Sequence, residues 1–125
     1  MLSEPERLKK SSEFHAIYNL RKSVANSLFI LYVGRKKKSP EIPAKVGFIV
    51  GKKVSKKATK RNYIKRLLRE VYKNIKKTGA APLDDWESLI FTARPASLEV
   101  NYQQVYDAVV DCLRRARKKY GNQGN

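Results

Sequence analysis

The sequence predicts an α+β fold, in which helices pack on a single β-sheet. Two stretches rich in β-forming residues, 28–33 and 45–51, precede a long amphipathic segment at 59–77. A third β-rich stretch at 87–94 and a last amphipathic segment follow. This order of strands and helices within one short chain is typical of a sheet covered by helices.

The composition is that of a very basic globular domain. The chain has 125 residues, a formal net charge of +17 and 42% hydrophobic residues. This apolar content is enough for a core and too high for a disordered basic tail. No apolar run approaches the ~20 residues of a membrane span, and the first residues do not form a signal peptide. We therefore expect one soluble, cytoplasmic domain over 1–125 with no membrane partner, and flexible ends at 1–8 and 120–125.

The first predicted helix follows Ser11 or Ser12, since either side chain can cap it. Phe14, Ile17 and Tyr18 come next at the spacing that places them on one helical face.

The two strands that follow differ in what their faces carry. Residues 28–33 are apolar on both faces, so we expect this strand to be covered on both sides. In 45–51, the valines and Phe48 point to one side, whereas Gly47 and Gly51 point to the other. A strand face that carries glycines admits close approach of another backbone or a ligand.

The helix at 59–77 has one apolar face and one cationic face. Apolar residues repeat at helical spacing from Ile64 to Ile75. The opposite face carries Asn62, Lys65, Arg66, Arg69, Lys73 and Lys76. Residues 52–77 hold twelve Lys or Arg and one acid, Glu70. Because like charges so concentrated cost stability unless an anionic partner offsets them, nucleic acid is the first candidate partner.

The last strand, 87–94, ends at Pro95, and a final helix begins near Ser97 or Asn101. If the strands on either side of the 59–77 helix are parallel, the general rule favours a right-handed crossover between them.

The titratable residues offer little to a self-contained enzyme. His15 lies off the apolar face of the first helix, so we interpret it as an exposed residue. Cys112 lies within the apolar face of the last helix, so we interpret it as packed in the core. Asp84, Asp85 and Glu87 form an acidic turn that we interpret as solvent-exposed rather than as a cation site. No zinc-protease, P-loop or paired His–carboxylate motif is present. We therefore assign no catalytic side chain, and these local residues do not define a metal site.

The binding chemistry is richer. Arg66 and Arg69 can each grip phosphate oxygens with two donors. Phe14 and Tyr18 share a helical face and Tyr32 stands on a neighbouring strand; unpaired bases stack on such rings when cations lie beside them. The alternative is that the rings belong to the core. This applies above all to Phe14, because the hydroxyls of Tyr18 and Tyr32 are better suited to the hydrated wall of a cleft.

The segment from Val46 to Glu70, VGFIVGKKVSKKATKRNYIKRLLRE, resembles the protein subunit of bacterial ribonuclease P. The matching features are a strand ending in Val-Gly, a Lys-Lys loop, and a helix that opens with Arg61-Asn62 and continues with Ile-Lys-Arg. The resemblance spans about residues 7–118. It implies the order α-β-β-β-α-β-α, similar to the second domain of ribosomal protein S5, with a left-handed crossover instead of the right-handed one.

The resemblance also implies a function. The partner is the catalytic RNA, with one protein bound per RNA. This RNA removes the 5′ leader of precursor tRNA with the help of magnesium that the RNA binds. The resemblance implies no cofactor on the protein. The leader would lie in a cleft lined by Phe14, Tyr18 and Tyr32, with Lys52, Lys53, Lys56 and Lys57 nearby. The residues facing the catalytic RNA would be Arg61, Asn62, Lys65, Arg66 and Arg69.

One residue departs from this pattern. Tyr63 stands where the family usually has Arg or Lys, and on the helical wheel it lies beside Glu70, outside the cationic face. One peripheral phosphate contact is therefore lost or becomes stacking. The alternatives to a ribonuclease P subunit are a ribosomal or architectural RNA-binding protein of similar fold, and a stand-alone nuclease.

Overall fold

The computed structural model describes residues 7–39, 41–83 and 85–121. The helices are α1 (Ser11–Asn19), α2 (Ala58–Thr78) and α3 (Tyr102–Tyr120), and a 3₁₀ turn spans Pro95–Glu99. The strands are β1 (Ser23–Ala25), β2 (Phe29–Val33), β3 (Lys45–Ile49) and β4 (Ser88–Ala93). The order α-β-β-β-α-β-α confirms the predicted fold class.

The four strands form one mixed sheet in the order β1-β2-β4-β3. β2 is antiparallel to both β1 and β4, whereas β3 is parallel to β4. α2 connects this parallel pair, so β3-α2-β4 is the crossover that the resemblance predicts to be left-handed. The pairing brings distant parts of the chain together, because Tyr32, Ile90 and Gly47 lie side by side across three strands.

One face of the sheet packs against α2 and α3 to form the core. Leu31 and Phe91 on the sheet and Leu68 and Leu113 on the two helices are fully buried. Burying one such side chain stabilises the fold by about 1.5–3 kcal/mol. The apolar periodicity of α2 and α3 is therefore explained by this single layer of packing.

α1 lies on the other face of the sheet and covers only part of it. Ile90 on the central strand is fully buried there. Ile30 and Tyr32 on β2 are only half-buried, so the prediction that both faces of this strand would be covered is correct for the inner face alone. The reason is length, since α1 has 9 residues and cannot span the sheet.

The capping of α1 differs from the prediction. The residue before the first turn is Lys10, and Ser11 and Ser12 are already helical. The Glu13 carboxylate accepts a hydrogen bond from the Lys10 backbone N–H at 3.2 Å, so an acid inside the first turn replaces the predicted serine cap. The Lys45 ammonium, 3.1 Å from Glu13, and hydrogen bonds from the backbone N–H groups of Lys10 and Lys9 hold the pKa of Glu13 below its usual range.

The folded part of the domain extends closer to both ends of the chain than the sequence predicts. The Leu8 backbone N–H donates to the Val46 carbonyl at 3.1 Å. Tyr120 is buried, and its hydroxyl donates to the Ser23 carbonyl at 3.1 Å. Residues 7, 8 and 120 are therefore in contact with the sheet. The flexibility predicted for 1–6 and 122–125 concerns residues outside those that the structure describes.

Two further expectations concern Cys112 and membrane-spanning helices. Cys112 is packed in α3 as predicted, and burial, with Asp111 adding to it, raises the pKa of its thiol to about 12. None of the helices in the described ranges combines the length and apolar composition needed to cross a bilayer.

Candidate nucleic-acid interface

The predicted cationic face of α2 points away from the core. We call Asn62, Lys65, Arg66 and Arg69 the α2 ridge; Lys65 is half-buried, and the other three are exposed. Ile64, Leu68 and Ile75 on the opposite side of the helix are buried. Within the described ranges, no carboxylate forms a salt bridge with the three cations of the ridge. Their charge is therefore available to phosphates, whose counterions are released on binding.

The basic loop, residues 51–57, joins β3 to α2. Its lysines, Lys52, Lys53, Lys56 and Lys57, are all exposed, whereas Val54 between them is buried in the core. The Arg61 guanidinium donates to the carbonyls of Ser55 and Lys56, both at 2.9 Å. Arg61, predicted to face RNA, is thus held by its own chain because the loop folds back over the first turn of α2.

The aromatic trough lies between α1 and the outer face of the sheet. We give this name to the surface formed by Phe14, Tyr18 and Tyr32, which are half-buried. Ile30, Ile49 and Thr92 lie on the same face of the sheet as Tyr32. The Tyr18 and Tyr32 rings meet edge to face with their centroids 4.8 Å apart. Burial, with a smaller contribution from Tyr32, raises the pKa of Tyr18.

The Phe14 ring packs closely against β3 at Gly47, on the strand face that carries glycine. A Cβ atom on Gly47 would lie 2.7 Å from Cε1 of the Phe14 ring, so only glycine leaves room for this ring. Phe14 is half-buried and stands outside the main core cluster. The alternative in which its ring belongs to the core is therefore not what the structure shows.

The trough and the α2 ridge meet in one groove. A groove of about 240 Å³ is lined by Phe14 together with Lys65 and Arg69, and its remaining walls are Arg7, Leu8 and residues 46–48. The sequence analysis assigned Phe14 to the leader cleft, and Lys65 and Arg69 to the surface that faces the catalytic RNA. The structure places two phenylalanine side chains and three cations around the same space, and single-stranded nucleic acid binds to such a combination of rings and cations.

The comparisons with known proteins agree with this geometry. A family model described as Ribonuclease P matches residues 2–117. The chain belongs to the ribonuclease P protein family. As a ribonuclease P protein it is the protein subunit of the endoribonuclease that matures the 5′ end of tRNA, in which the RNA carries out catalysis.

The relatives cover nearly the whole ribonuclease P protein. The chain is 31% identical over 115 residues to the ribonuclease P protein component of Clostridium novyi, covering 92% of this chain and 96% of the relative. It is 34% identical over 110 residues to that of Clostridium kluyveri, covering 88% and 93%.

Solved structures of ribonuclease P proteins share the fold. The Staphylococcus aureus protein superposes with a TM-score of 0.69 at 30% identity, covering 90% of this chain and 95% of that one. The Thermotoga maritima protein superposes with a TM-score of 0.71 at 27% identity, covering 88% and 96%.

The contact between Gly47 and Phe14 supports a stability prediction for this ribonuclease P protein. Gly47→Ala is expected to lower the free energy of unfolding by about 1–3 kcal/mol, because the new methyl group overlaps the ring. In a Phe14→Ala background the same change should cost far less, since the ring is gone. Urea unfolding of the four proteins in this cycle measures the coupling.

Gly51 supplies the matched control. Nothing lies within 4 Å of a Cβ built on Gly51, so Gly51→Ala should be neutral or slightly stabilising. An equal cost of Gly47→Ala with and without the Phe14 ring would show that the ring does not limit this position.

A second groove was not predicted from the sequence. It has about 610 Å³ and lies on the other flank of α1, lined by Ile17, Leu20, Ile42, Pro43 and parts of the 34–39 segment. None of the predicted RNA-binding residues lines it. No periodic signal marks it, because an irregular loop builds one wall.

The remaining titratable residues stay apart from the interface. His15 is exposed on α1, as predicted. Asp85 accepts two hydrogen bonds from the Arg117 guanidinium, at 2.7 and 2.8 Å, so this acid of the predicted exposed turn is a structural partner of α3. Asp84, of the same turn, lies outside the described residues.

Proposed function

We propose that this ribonuclease P protein binds the catalytic RNA through the α2 ridge and holds the 5′ leader of precursor tRNA in the aromatic trough. The observation that carries the proposal is the groove in which Phe14, Lys65 and Arg69 meet. One wall of that groove can stack a base, and the other can neutralise its phosphate. The catalytic RNA and the leader would then lie against adjoining surfaces of one protein.

The trough suits a single strand better than a duplex. Bases inside a duplex are stacked on each other, and only unpaired bases can reach half-buried rings such as Tyr18 and Tyr32. The exposed lysines of the basic loop, Lys52, Lys53, Lys56 and Lys57, add attraction to the leader phosphates without selecting a sequence. The protein therefore contributes binding to precursor tRNA that mature tRNA, which has no leader, cannot use.

Magnesium belongs to the RNA in this proposal. Mg²⁺ is bound in proteins through carboxylate oxygens, and the described residues contain no group of three or more His, Cys, Asp or Glu side chains that could hold a metal ion. The α2 ridge presents cations and one amide, which do not fit a magnesium site. We assign the protein no cofactor and no catalytic side chain.

The test is cleavage of precursor tRNA by the cognate ribonuclease P RNA at low magnesium concentration, with and without this protein. The protein is expected to accelerate cleavage and to tighten precursor binding more than mature tRNA binding. Titration of the RNA should saturate at one protein per RNA. Cleavage that is no faster with the protein would contradict the proposal.

Two control arms separate the alternatives. Cleavage by the protein alone would indicate a stand-alone nuclease. Equal affinity for ribonuclease P RNA and for a ribosomal RNA fragment of matched length would indicate a general RNA-binding protein instead.

A further inference from the structure

We propose that Tyr63 forms a base-stacking subsite for an unpaired nucleotide at the RNA surface of α2. This inference rests on the proposed function, because it assumes that α2 faces RNA. It adds a contact that depends on an aromatic ring rather than on charge, beside a ridge whose contacts are ionic.

The exposure of the Tyr63 ring is the first observation. Tyr63 is 48% exposed, and the only other exposed large hydrophobic side chain in the described ranges is Ile42, in the loop before β3. The second tyrosine of α2, Tyr72, is 2% exposed and meets Phe48 edge to face. α2 thus buries one tyrosine in the core and leaves the other facing solvent.

The neighbours of Tyr63 are the second observation. Residues three apart on a helix lie side by side on its surface, and those three away from Tyr63 in each direction are Lys60 and Arg66, both exposed. Neither cation has an ion-pair partner in the part of the chain that the structure describes. A base stacked on the ring would therefore carry its phosphates within reach of a cation on either side.

Helix stability does not explain a tyrosine at this position. Tyrosine has a lower intrinsic helix propensity than lysine or arginine, and only packing normally offsets that difference. Within the described residues, the Tyr63 ring meets no other ring and is not part of the core cluster. Its hydroxyl lets the ring stay in water until a ligand covers it. Contact with an external planar group accounts for the residue.

The experiment compares variants of the full-length protein that change the ring and the charge separately. Tyr63→Leu is expected to weaken RNA binding roughly tenfold without changing the slope of log affinity against log salt concentration. Tyr63→Phe should stay within about twofold of the parent protein, since the ring is kept. Tyr63→Arg should steepen the slope by about one, because an ionic contact replaces a stacking one.

Two binding arms identify the RNA that supplies the base. One measures binding of the protein to the cognate ribonuclease P RNA, and the other measures binding of precursor tRNA to the assembled complex. A Tyr63→Leu loss in the first arm assigns the base to the catalytic RNA, and a loss in the second arm alone assigns it to the precursor. Ile42→Ala, which removes the other exposed large hydrophobic side chain, should change neither arm.

The outcomes separate this inference from the proposed function. If Arg66→Ala weakens binding and flattens the salt slope but Tyr63→Leu changes neither arm, the stacking subsite is refuted and the proposed function stands. A Tyr63→Phe variant as weak as Tyr63→Leu would also refute stacking, since the hydroxyl would then be the contact. If Arg66→Ala has no effect, the RNA surface of α2 itself is refuted.

Discussion

Replacing Arg66 and Arg69 together with alanine is expected to weaken binding of the ribonuclease P RNA roughly a hundredfold, because two charge-assisted contacts to phosphate are lost. The slope of log affinity against log salt concentration should become shallower by about two, one for each phosphate contact. Both side chains are exposed, so the fold should survive the change. Filter binding between roughly 50 and 200 mM salt measures both effects.

A double variant elsewhere on the chain controls for net charge. Lys118→Ala with Lys119→Ala removes the same number of positive charges from exposed positions near the end of α3. Lys119 lies 5.3 Å from the centroid of the Tyr120 ring, and its loss should cost little stability. If both double variants flatten the salt slope equally, the RNA responds to total charge rather than to the α2 ridge.

Tyr18→Ala is expected to weaken binding of precursor tRNA to the assembled complex roughly tenfold while leaving mature tRNA binding nearly unchanged. The Tyr18 ring is part of the aromatic trough and meets the Tyr32 ring edge to face, so its removal takes away a stacking surface that only a leader can use. Tyr18→Phe keeps the ring and should retain most of the affinity. The measurement is the ratio of the precursor and mature dissociation constants.

The matched control for Tyr18 is a half-buried ring outside the trough. Tyr106 stacks on Tyr102 on α3, with the ring centroids 6.2 Å apart, so Tyr106→Ala removes a comparable aromatic contact. It should change the stability of the protein but not the ratio of the two dissociation constants. Equal losses of precursor and mature tRNA in Tyr18→Ala would assign its ring to structural support of α1.

Local sequence patterns predicted much of the secondary structure and of the face that each residue occupies, because these features depend on residues close together in the chain. The spacing from Ile64 to Ile75 indicated which face of α2 is core, and the structure buries that face and turns Arg66 and Arg69 outward. The alternation along β3 placed Gly47 on a face open to close approach, and Phe14 occupies it.

Residue type alone did not reveal two local contacts. Ser11 was a reasonable cap by residue type, but Glu13 reaches the free Lys10 N–H from within the helix. Arg61 belongs to a cationic segment, yet two loop carbonyls accept hydrogen bonds from its guanidinium. In both cases neighbouring groups compete for the same partner, and residue type alone does not say which one reaches it.

The amino-acid sequence by itself determined three of the four strands and their order among the helices, the two faces of α2 and the cationic character of the surface, since each follows from short-range periodicity and composition. The remaining strand, β1, was implied only by the family resemblance. Only the tertiary structure decided that Phe14, Gly47 and Lys65 surround one groove. Their meeting depends on the strand order β1-β2-β4-β3 and on α1 lying across the outer face. Contacts between residues so far apart in the chain arise from how whole elements pack, and no local pattern contains that information.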